Sequence, residues 1–279
     1  MKKQQTIFIT GASSGIGKAA TVKLAKDGHK VFAGIRRKAD KAEIESLDKN
    51  ITGVYMDVTN LASIEKAFWF IIKNTDKLDV LINNAGIVTA GPVELLKPES
   101  IEEQFKVNTI GPILVTQKFL PMLIGGKIIN MSSVSSTGLF PYISAYCASK
   151  RALDIFFNCF ALENKDNIKV ISIKPASVKT PIWNRSTEKA KAEFENINEV
   201  EKSKYGKELL YLEKNALEHN FKGLETEKVV NTIRRVIKSD NPKPSYTVGF
   251  QSKLAVLAAK ILPETWLNQL IKIKLSKIS

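Results

Sequence analysis

Thr10-Gly11-Ala12-Ser13-Ser14-Gly15-Ile16-Gly17 follows a short β-rich run at 6–10 and opens a stretch with helical apolar spacing at Ala19, Val22, Leu24 and Ala25. Glycines between a strand and a helix let the backbone turn tightly and approach a pyrophosphate. The free N–H groups of the helix start then stabilise the phosphate charge. The spacing is G-x-x-x-G-x-G rather than the usual dinucleotide G-x-G-x-x-G. A P-loop is excluded, because it needs Gly at position 12 and Ser or Thr at position 19, and both are Ala. The turn's place directly after a β-run weighs against a plain glycine-rich loop. Gly11, Ser13, Ser14, Gly15, Ile16 and Gly17 are therefore expected around a dinucleotide.

Outward from this turn, β-rich apolar runs recur at 30–34, 52–56, 79–82, 127–131 and 169–173, separated by segments of helical periodicity. A last strand is expected at 246–249. Strands alternating with helices predict βαβ units, hence a parallel sheet covered on both faces. The segment 182–227 breaks the rhythm: it is long, charged and without a strand signal, and is read as one or two exposed helices.

The chain has 279 residues, 44% of them hydrophobic, with 42 Lys and Arg against 28 Asp and Glu, a net charge of +14. That length buries a substantial core, and the composition excludes disorder and collagen-like repeats. So basic a balance suits nucleic acid, an anionic membrane or a phosphorylated ligand. After the second strand run the chain reads Ile35-Arg36-Arg37-Lys38, with no acid before Asp40. A carboxylate there would accept hydrogen bonds from the adenosine ribose of NAD, whereas a 2′-phosphate wants cations. NADP(H) is expected over NAD(H), with Arg36 and Arg37 as its contacts.

Tyr146-Cys147-Ala148-Ser149-Lys150 opens a helical pattern that runs to about Glu163. Residues four apart share a helix face, so phenol and ammonium project side by side. A neighbouring cation favours phenolate and lowers a pKa that is otherwise near 10. Ser132 and Ser133 close the fifth strand run, at the sheet end where α/β folds bind ligands. A hydroxyl there could hydrogen-bond a carbonyl oxygen while Tyr146 protonates it.

Taken together, the chain resembles the short-chain dehydrogenase/reductase family over roughly residues 5–250. The resemblance rests on the Thr10 to Gly17 turn, Asp57-Val58, Asn83-Asn84-Ala85-Gly86, Val107-Asn108, Ser133, Tyr146, Lys150 and Pro175 through Thr180. It implies a doubly wound Rossmann-type α/β fold with seven parallel strands in the order 3-2-1-4-5-6-7 and helices on both faces. It also implies a catalytic tetrad of Asn108, Ser133, Tyr146 and Lys150. Tyr146 would be the general acid/base, and Ser133 would polarise the carbonyl. Lys150 would bind the nicotinamide ribose and lower the Tyr146 pKa, and Asn108 would hold a helix kink and a relay water. Asp57 and Val58 would lie against the adenine. Asn84, Ala85 and Gly86 would line the cofactor, and Pro175, Val178 and Thr180 would approach the nicotinamide end. One departure is visible: the family's Pro-Gly is Pro175-Ala176 here. The Tyr146 motif and the early Val-Phe-Ala-Gly run are similar to the branch of 17-beta-hydroxysteroid and retinol dehydrogenases.

On this reading, residues 1–250 form a single catalytic domain in which 182–227 is a substrate lid. Trp183, Phe194, Tyr205 and Tyr211 favour a bulky hydrophobic carbonyl substrate of steroid, retinoid or lipid type. Residues 251–279 form a basic amphipathic helical segment broken by Pro263. Leu254, Leu257, Ala258, Ile261 and Leu262 make one apolar face, and Leu267, Leu270, Ile271, Leu275 and Ile278 a second. This segment either packs on the domain or a partner subunit, or lies on an anionic membrane. A homo-oligomer, dimer or tetramer, is expected.

The remaining features exclude alternatives. Cys147 and Cys159 lie on one expected helix about 18 Å apart, too far for a disulfide. His29 and His219 have no ligand-spaced partners, so no metal site is expected. The opening residues carry only a three-residue apolar run, and no stretch approaches a transmembrane helix, so the expected compartment is the cytoplasm. Basic residues spread along the chain with no nucleic-acid motif, which places nucleic acid last among partners. An NADP(H)-sensing regulatory or scaffold protein on the same fold is the rival reading. Retention of Ser133, Tyr146 and Lys150 favours the enzyme.

Overall fold

Successive strand residues feed two separate apolar cores, which is why the strands read as continuous hydrophobic runs. In the computed structural model, which describes residues 4–195, 197–249, 256 and 263–276, seven strands form one sheet. They are β1 (Thr6–Ile9), β2 (Lys30–Ile35), β3 (Ile51–Tyr55), β4 (Val80–Asn83), β5 (Lys127–Met131), β6 (Lys169–Pro175) and β7 (Ser245–Val248). All pairs are parallel and the order is 3-2-1-4-5-6-7, the topology expected from the sequence.

Ile7, Ile9, Val31, Ala33, Val80 and Ile82 point to one face, where α1 (Gly15–Lys26), α2 (Asp40–Glu45) and α9 (Thr226–Lys238) cover them. Phe8, Phe32, Leu81 and Ile128 point to the other. That face is covered by α3 (Leu61–Ile72), α5 (Gly111–Phe119) and α6 (Ser144–Glu163). The short α4 (Pro98–Phe105) runs into a wide π-type turn at Lys106–Ile110 before α5 begins. Two helices fill the segment without strand signal, α7 (Ile182–Phe194) and α8 (Glu199–Lys222).

A C-terminal helix spans Glu264–Leu275. Its Ile271 and Leu275 turn toward α7 and α8, whereas Leu270, Trp266 and Ile273 are exposed. Leu270 thus departs from the face assigned to it, because Ile271 and Leu275 share the inward stripe at four-residue spacing. The face expected from Leu254 to Leu262, and Ile278, lie outside the described residues. Among the described residues, no helix is long and apolar enough to cross a membrane, and no cluster of three metal-ligating side chains occurs.

The first and last helices of the α1 face are clamped together. Arg234 Nε and Nη2 donate to the two Asp27 carboxylate oxygens at 2.5 and 2.9 Å. The hydrogen bond from Arg234, helped by its charge, holds the Asp27 carboxyl below its ordinary 3.8 despite an opposing contribution from burial. A carboxyl depressed in the folded state contributes stability above its unfolded pKa and loses it as the pH falls through the folded value. Asp27→Asn is therefore expected to lower stability at pH 7 by about 1 kcal/mol. In urea titrations the gap from the parent should shrink below roughly pH 4. A gap that does not change with pH would remove the charge from this account.

Candidate active site

Strand order reverses between β1 and β4, and a parallel sheet leaves a crevice at such a point beyond the strands' C-terminal ends. A cleft of about 230 Å³ lies there. Of the residues singled out by sequence, its walls contain Gly11, Ser13, Ser14, Gly15, Ile16, Arg36, Asp57, Val58, Asn84, Ala85, Gly86, Tyr146, Lys150, Pro175 and Thr180.

The glycine-rich turn is built by close approach. Gly11 adopts φ +65°, and a Cβ on Gly17 would stand 2.2 Å from the Gly11 carbonyl oxygen. Asn84 Nδ2 bridges that space, donating to the Thr10 and Gly11 carbonyls at 2.9 and 3.0 Å. The Thr10 hydroxyl oxygen in turn accepts from the Asn84 and Ala85 backbone N–H groups at 3.0 Å each. This lock fixes the β1 turn against the end of β4. Gly17 thereby serves the packing of the turn rather than the cleft wall.

Asn108 sits in the π-type turn and is wholly buried. Its Oδ1 accepts from the Ile87 N–H at 2.9 Å, and its Nδ2 donates to the Ile87 carbonyl and Ser149 Oγ at 3.0 and 3.2 Å. A single extra residue in a helical turn leaves backbone groups unpaired and displaces the chain, and here it brings Asn108 to the loop after β4. A Cβ on Gly86 would lie 3.3 Å from Asn108 Oδ1 and 3.5 Å from Lys150 Nζ, so the three positions converge.

Ser133 ends the segment after β5. Its Oγ accepts from the Ser135 N–H at 3.1 Å and is hydrogen-bonded to the Tyr146 hydroxyl. Lys150, one turn along α6, is buried. Its Nζ donates to the Met131 carbonyl at 2.8 Å and lies 5.9 Å from the centre of the Tyr146 ring.

Electrostatics departs from the sequence expectation. Burial pushes the Tyr146 hydroxyl up to about 12, against a lowering contribution from its hydrogen bond with Ser133. Burial likewise pushes Lys150 down to about 8, opposed by the negative charge of Asp154. Desolvation penalises both charged forms, and it outweighs the expected lowering of the phenol by the ammonium. The arrangement holds a protonated phenol beside an amine that gives up its proton easily. Such a phenol is a proton donor for a nearby oxygen that gains charge.

Gly17, Asn108 and Ser133 lie behind the cleft wall rather than in its lining, and two further residues singled out by sequence, Arg37 and Val178, stand off it. Arg37 turns to Asp40, donating from Nε and Nη2 at 3.1 and 2.7 Å. Val178 is buried and bridges to Leu224. Conversely, the sequence reading missed Arg185 and Asp154. Arg185, on the first turn of α7, reaches the cleft and approaches Ser14 Oγ at 3.5 Å. Asp154 is buried one turn after Lys150, held by Lys174 at 2.8 Å and Ser172 at 3.0 Å. Its i, i+4 spacing from Lys150 was the available signal.

The cleft suits a dinucleotide. The α1 N-terminus carries no acid in its first turn, and Ser14 makes no side-chain cap, so its backbone donors are open to an anion such as a pyrophosphate. The Ser132 hydroxyl, on the same wall, is buried without a hydrogen-bond partner among the described residues.

Comparison with known proteins points the same way. A family model described as short chain dehydrogenase matches residues 5–191. The chain is 32% identical over 273 residues to a 3-amino-tetrahydro-pyrrolizinone reductase of Xenorhabdus hominickii, covering 95% of this chain and 94% of that one. It is 29% identical to an NADPH-dependent 3-dehydrocapnine reductase of Ornithobacterium rhinotracheale, covering 97% of each. In fold it is similar to the crystal structure of a short-chain dehydrogenase from Streptomyces avermitilis. There the TM-score is 0.77 at 21% identity, over 99% of this chain and 98% of the other.

Proposed function

This chain belongs to the short-chain dehydrogenase/reductase family, an oxidoreductase family that interconverts carbonyl and alcohol with a nicotinamide cofactor, and from that premise we propose an NADP(H)-dependent reductase of hydrophobic ketones or aldehydes. The observation that carries the proposal is the Tyr146 hydroxyl, bonded to Ser133 and pushed toward its protonated form beside buried Lys150.

In this reading the nicotinamide, when bound, supplies the hydride to the carbonyl carbon. Ser133 donates a hydrogen bond to the carbonyl oxygen and orients it toward Tyr146. Tyr146 gives its proton to that oxygen as charge develops there, becoming phenolate. Lys150, protonated, steadies the phenolate, with its position fixed by the Met131 carbonyl. Asn108 holds the loop at Ile87 in place and so shapes the floor of the site. Gly11, Ser13 to Ile16, Asn84 to Gly86, Asp57, Val58, Pro175 and Thr180 would hold the cofactor.

Preference for NADP(H) rests on Arg36, which reaches the cleft, while Asp40, the first acid after β2, is already paired with Arg37. A phosphate there meets a cation and no uncompensated carboxylate. Arg36→Ala is expected to weaken NADPH roughly 10- to 100-fold and NADH little. Arg37→Ala should leave the ratio nearly unchanged. Equal weakening of both cofactors in the Arg36 variant would mean that the 2′-phosphate is held elsewhere.

Helices α7 and α8 act as the substrate lid in this proposal, with Trp183, Phe194 and Tyr211 against an apolar cavity. A second copy of the chain is the partner that exposed Ile155, Phe156 and Leu162 on α6 would suit, and light scattering checks it. The reaction is tested by NADPH consumption over steroid, retinoid, fatty-acyl and small carbonyl compounds. Consumption by none of these classes would sink the reductase reading.

A further inference from the structure

A cavity of about 1000 Å³ adjoins the cleft and is separate from its lining. It touches Tyr142 and Ile143, the loop leading into the helix of Tyr146, and Trp183, next to Ile182 of the cleft wall. Along α7 its lining extends from Trp183 past Phe194, with Ser186, Thr187, Ala190 and Lys191 on the same helix face and Glu188 and Ala192 beside it. The stretch from Trp183 to Phe194 is about 16 Å of helix, and the cavity follows it. Ile271 and Leu275 of the C-terminal helix line it as well.

Some polar groups of the lining are engaged with one another, while others, Glu188, Glu195 and Asn215 among them, also border the space. The Thr187 hydroxyl donates to the Trp183 carbonyl at 3.0 Å, and Lys191 pairs with Glu213 across α7 and α8 at 2.6 Å. A ligand portion lying here without polar atoms would therefore leave these groups no worse satisfied.

Gly206 is the anomaly of the opposite wall. It lies inside α8, where glycine is the poorest helix former after proline. Neither backbone nor packing requires it: its φ is not positive, and a Cβ there would meet nothing within 4 Å. It lines the cavity. Any larger side chain at this position would stand in the open space.

We propose that the cavity takes a long hydrocarbon chain on the substrate carbonyl compound and that Gly206 sets the length and bulk accepted. An extended chain with bonds near 1.5 Å advances roughly 1.25 Å per carbon, so the α7 face accommodates about 12 carbons. The inference rests on the reductase reading for its chemistry, while the chain-binding site stands on the cavity alone.

The test follows kcat/KM with NADPH along straight-chain aldehydes from butanal to tetradecanal, and calorimetric binding of dodecan-1-ol. In the parent, kcat/KM is expected to climb by up to about fourfold per methylene before levelling. In Gly206→Leu the tetradecanal-to-butanal ratio should fall at least tenfold, and dodecan-1-ol should bind at least tenfold more weakly. Gly206→Ala serves as the folding control and should melt no lower than the parent. A flat chain-length series in the parent, a Gly206→Leu ratio equal to the parent's, or no dodecan-1-ol binding overturns the inference. Tight dodecan-1-ol binding that Gly206→Leu weakens, with no aldehyde turned over, upholds the chain site and overturns the reductase reading instead.

Discussion

Tyr146→Phe should bind NADPH as the parent does and lose roughly 10³-fold in turnover. The substitution removes one oxygen from a half-buried ring on α6 and leaves the helix, the Lys150 contact with the Met131 carbonyl and the glycine-rich turn intact. What disappears is the proton that burial holds on the hydroxyl and the bond that joins it to Ser133. Cofactor titration by fluorescence and steady-state turnover separate the two effects. Undiminished turnover would end the proposed mechanism. A parallel loss of NADPH binding would show instead that the phenol helps to shape the cleft.

Gly17→Ala is the second large expected effect, and it falls on stability before chemistry. The added methyl would overlap the Gly11 carbonyl oxygen at 2.2 Å and Asn84 Nδ2 at 2.5 Å. Neither is the free end of a flexible side chain, since Asn84 Nδ2 is bound to two backbone carbonyls. Relief requires α1 to shift away from the Gly11 carbonyl, and Asn84 to give way as well. That rearrangement is expected to destabilise the fold by about 3 kcal/mol, which lowers Tm by roughly 6–12 °C in a domain of this size. A scanning-calorimetry Tm within 2 °C of the parent, an order-of-magnitude threshold on the same scale, would mean that the turn relaxes freely.

The strands were legible because parallel pairing buries both faces, so each appears as an unbroken apolar run bounded by turn residues. β5 matches its expected range of 127–131, and the others shift by one or two residues at their ends. Residues on the cleft wall were legible where local motifs carry them, as with Gly11 to Ile16 and Tyr146 with Lys150. Arg37 was not, because whether it faces a phosphate or Asp40 depends on the turn into α2, three residues of geometry that charge alone does not encode. The direction of the Tyr146 shift was missed for a related reason: i, i+4 spacing reports a neighbour but not how much water the pair has lost. Trp183, Phe194 and Tyr211 of the expected lid do line the cavity under α7 and α8 and Tyr205 does not, and its extent depends on three distant segments packed together, which no local pattern encodes.

The clamp between Asp27 and Arg234 joins residues 207 positions apart, and this has a consequence for how the protein is made. Helix α9 packs on α1 and on β6 and β7, so the outer side of α1 and the β6 end of the α1 face of the sheet, with Ile171 and Ile173, are finished only when α9 arrives. At roughly 5–20 residues per second, a ribosome takes about 10–40 s to deliver Arg234 after Asp27. Through that interval the side of α1 that packs on α9 has no partner on the nascent chain, so this part of the core closes only after the last βα unit emerges.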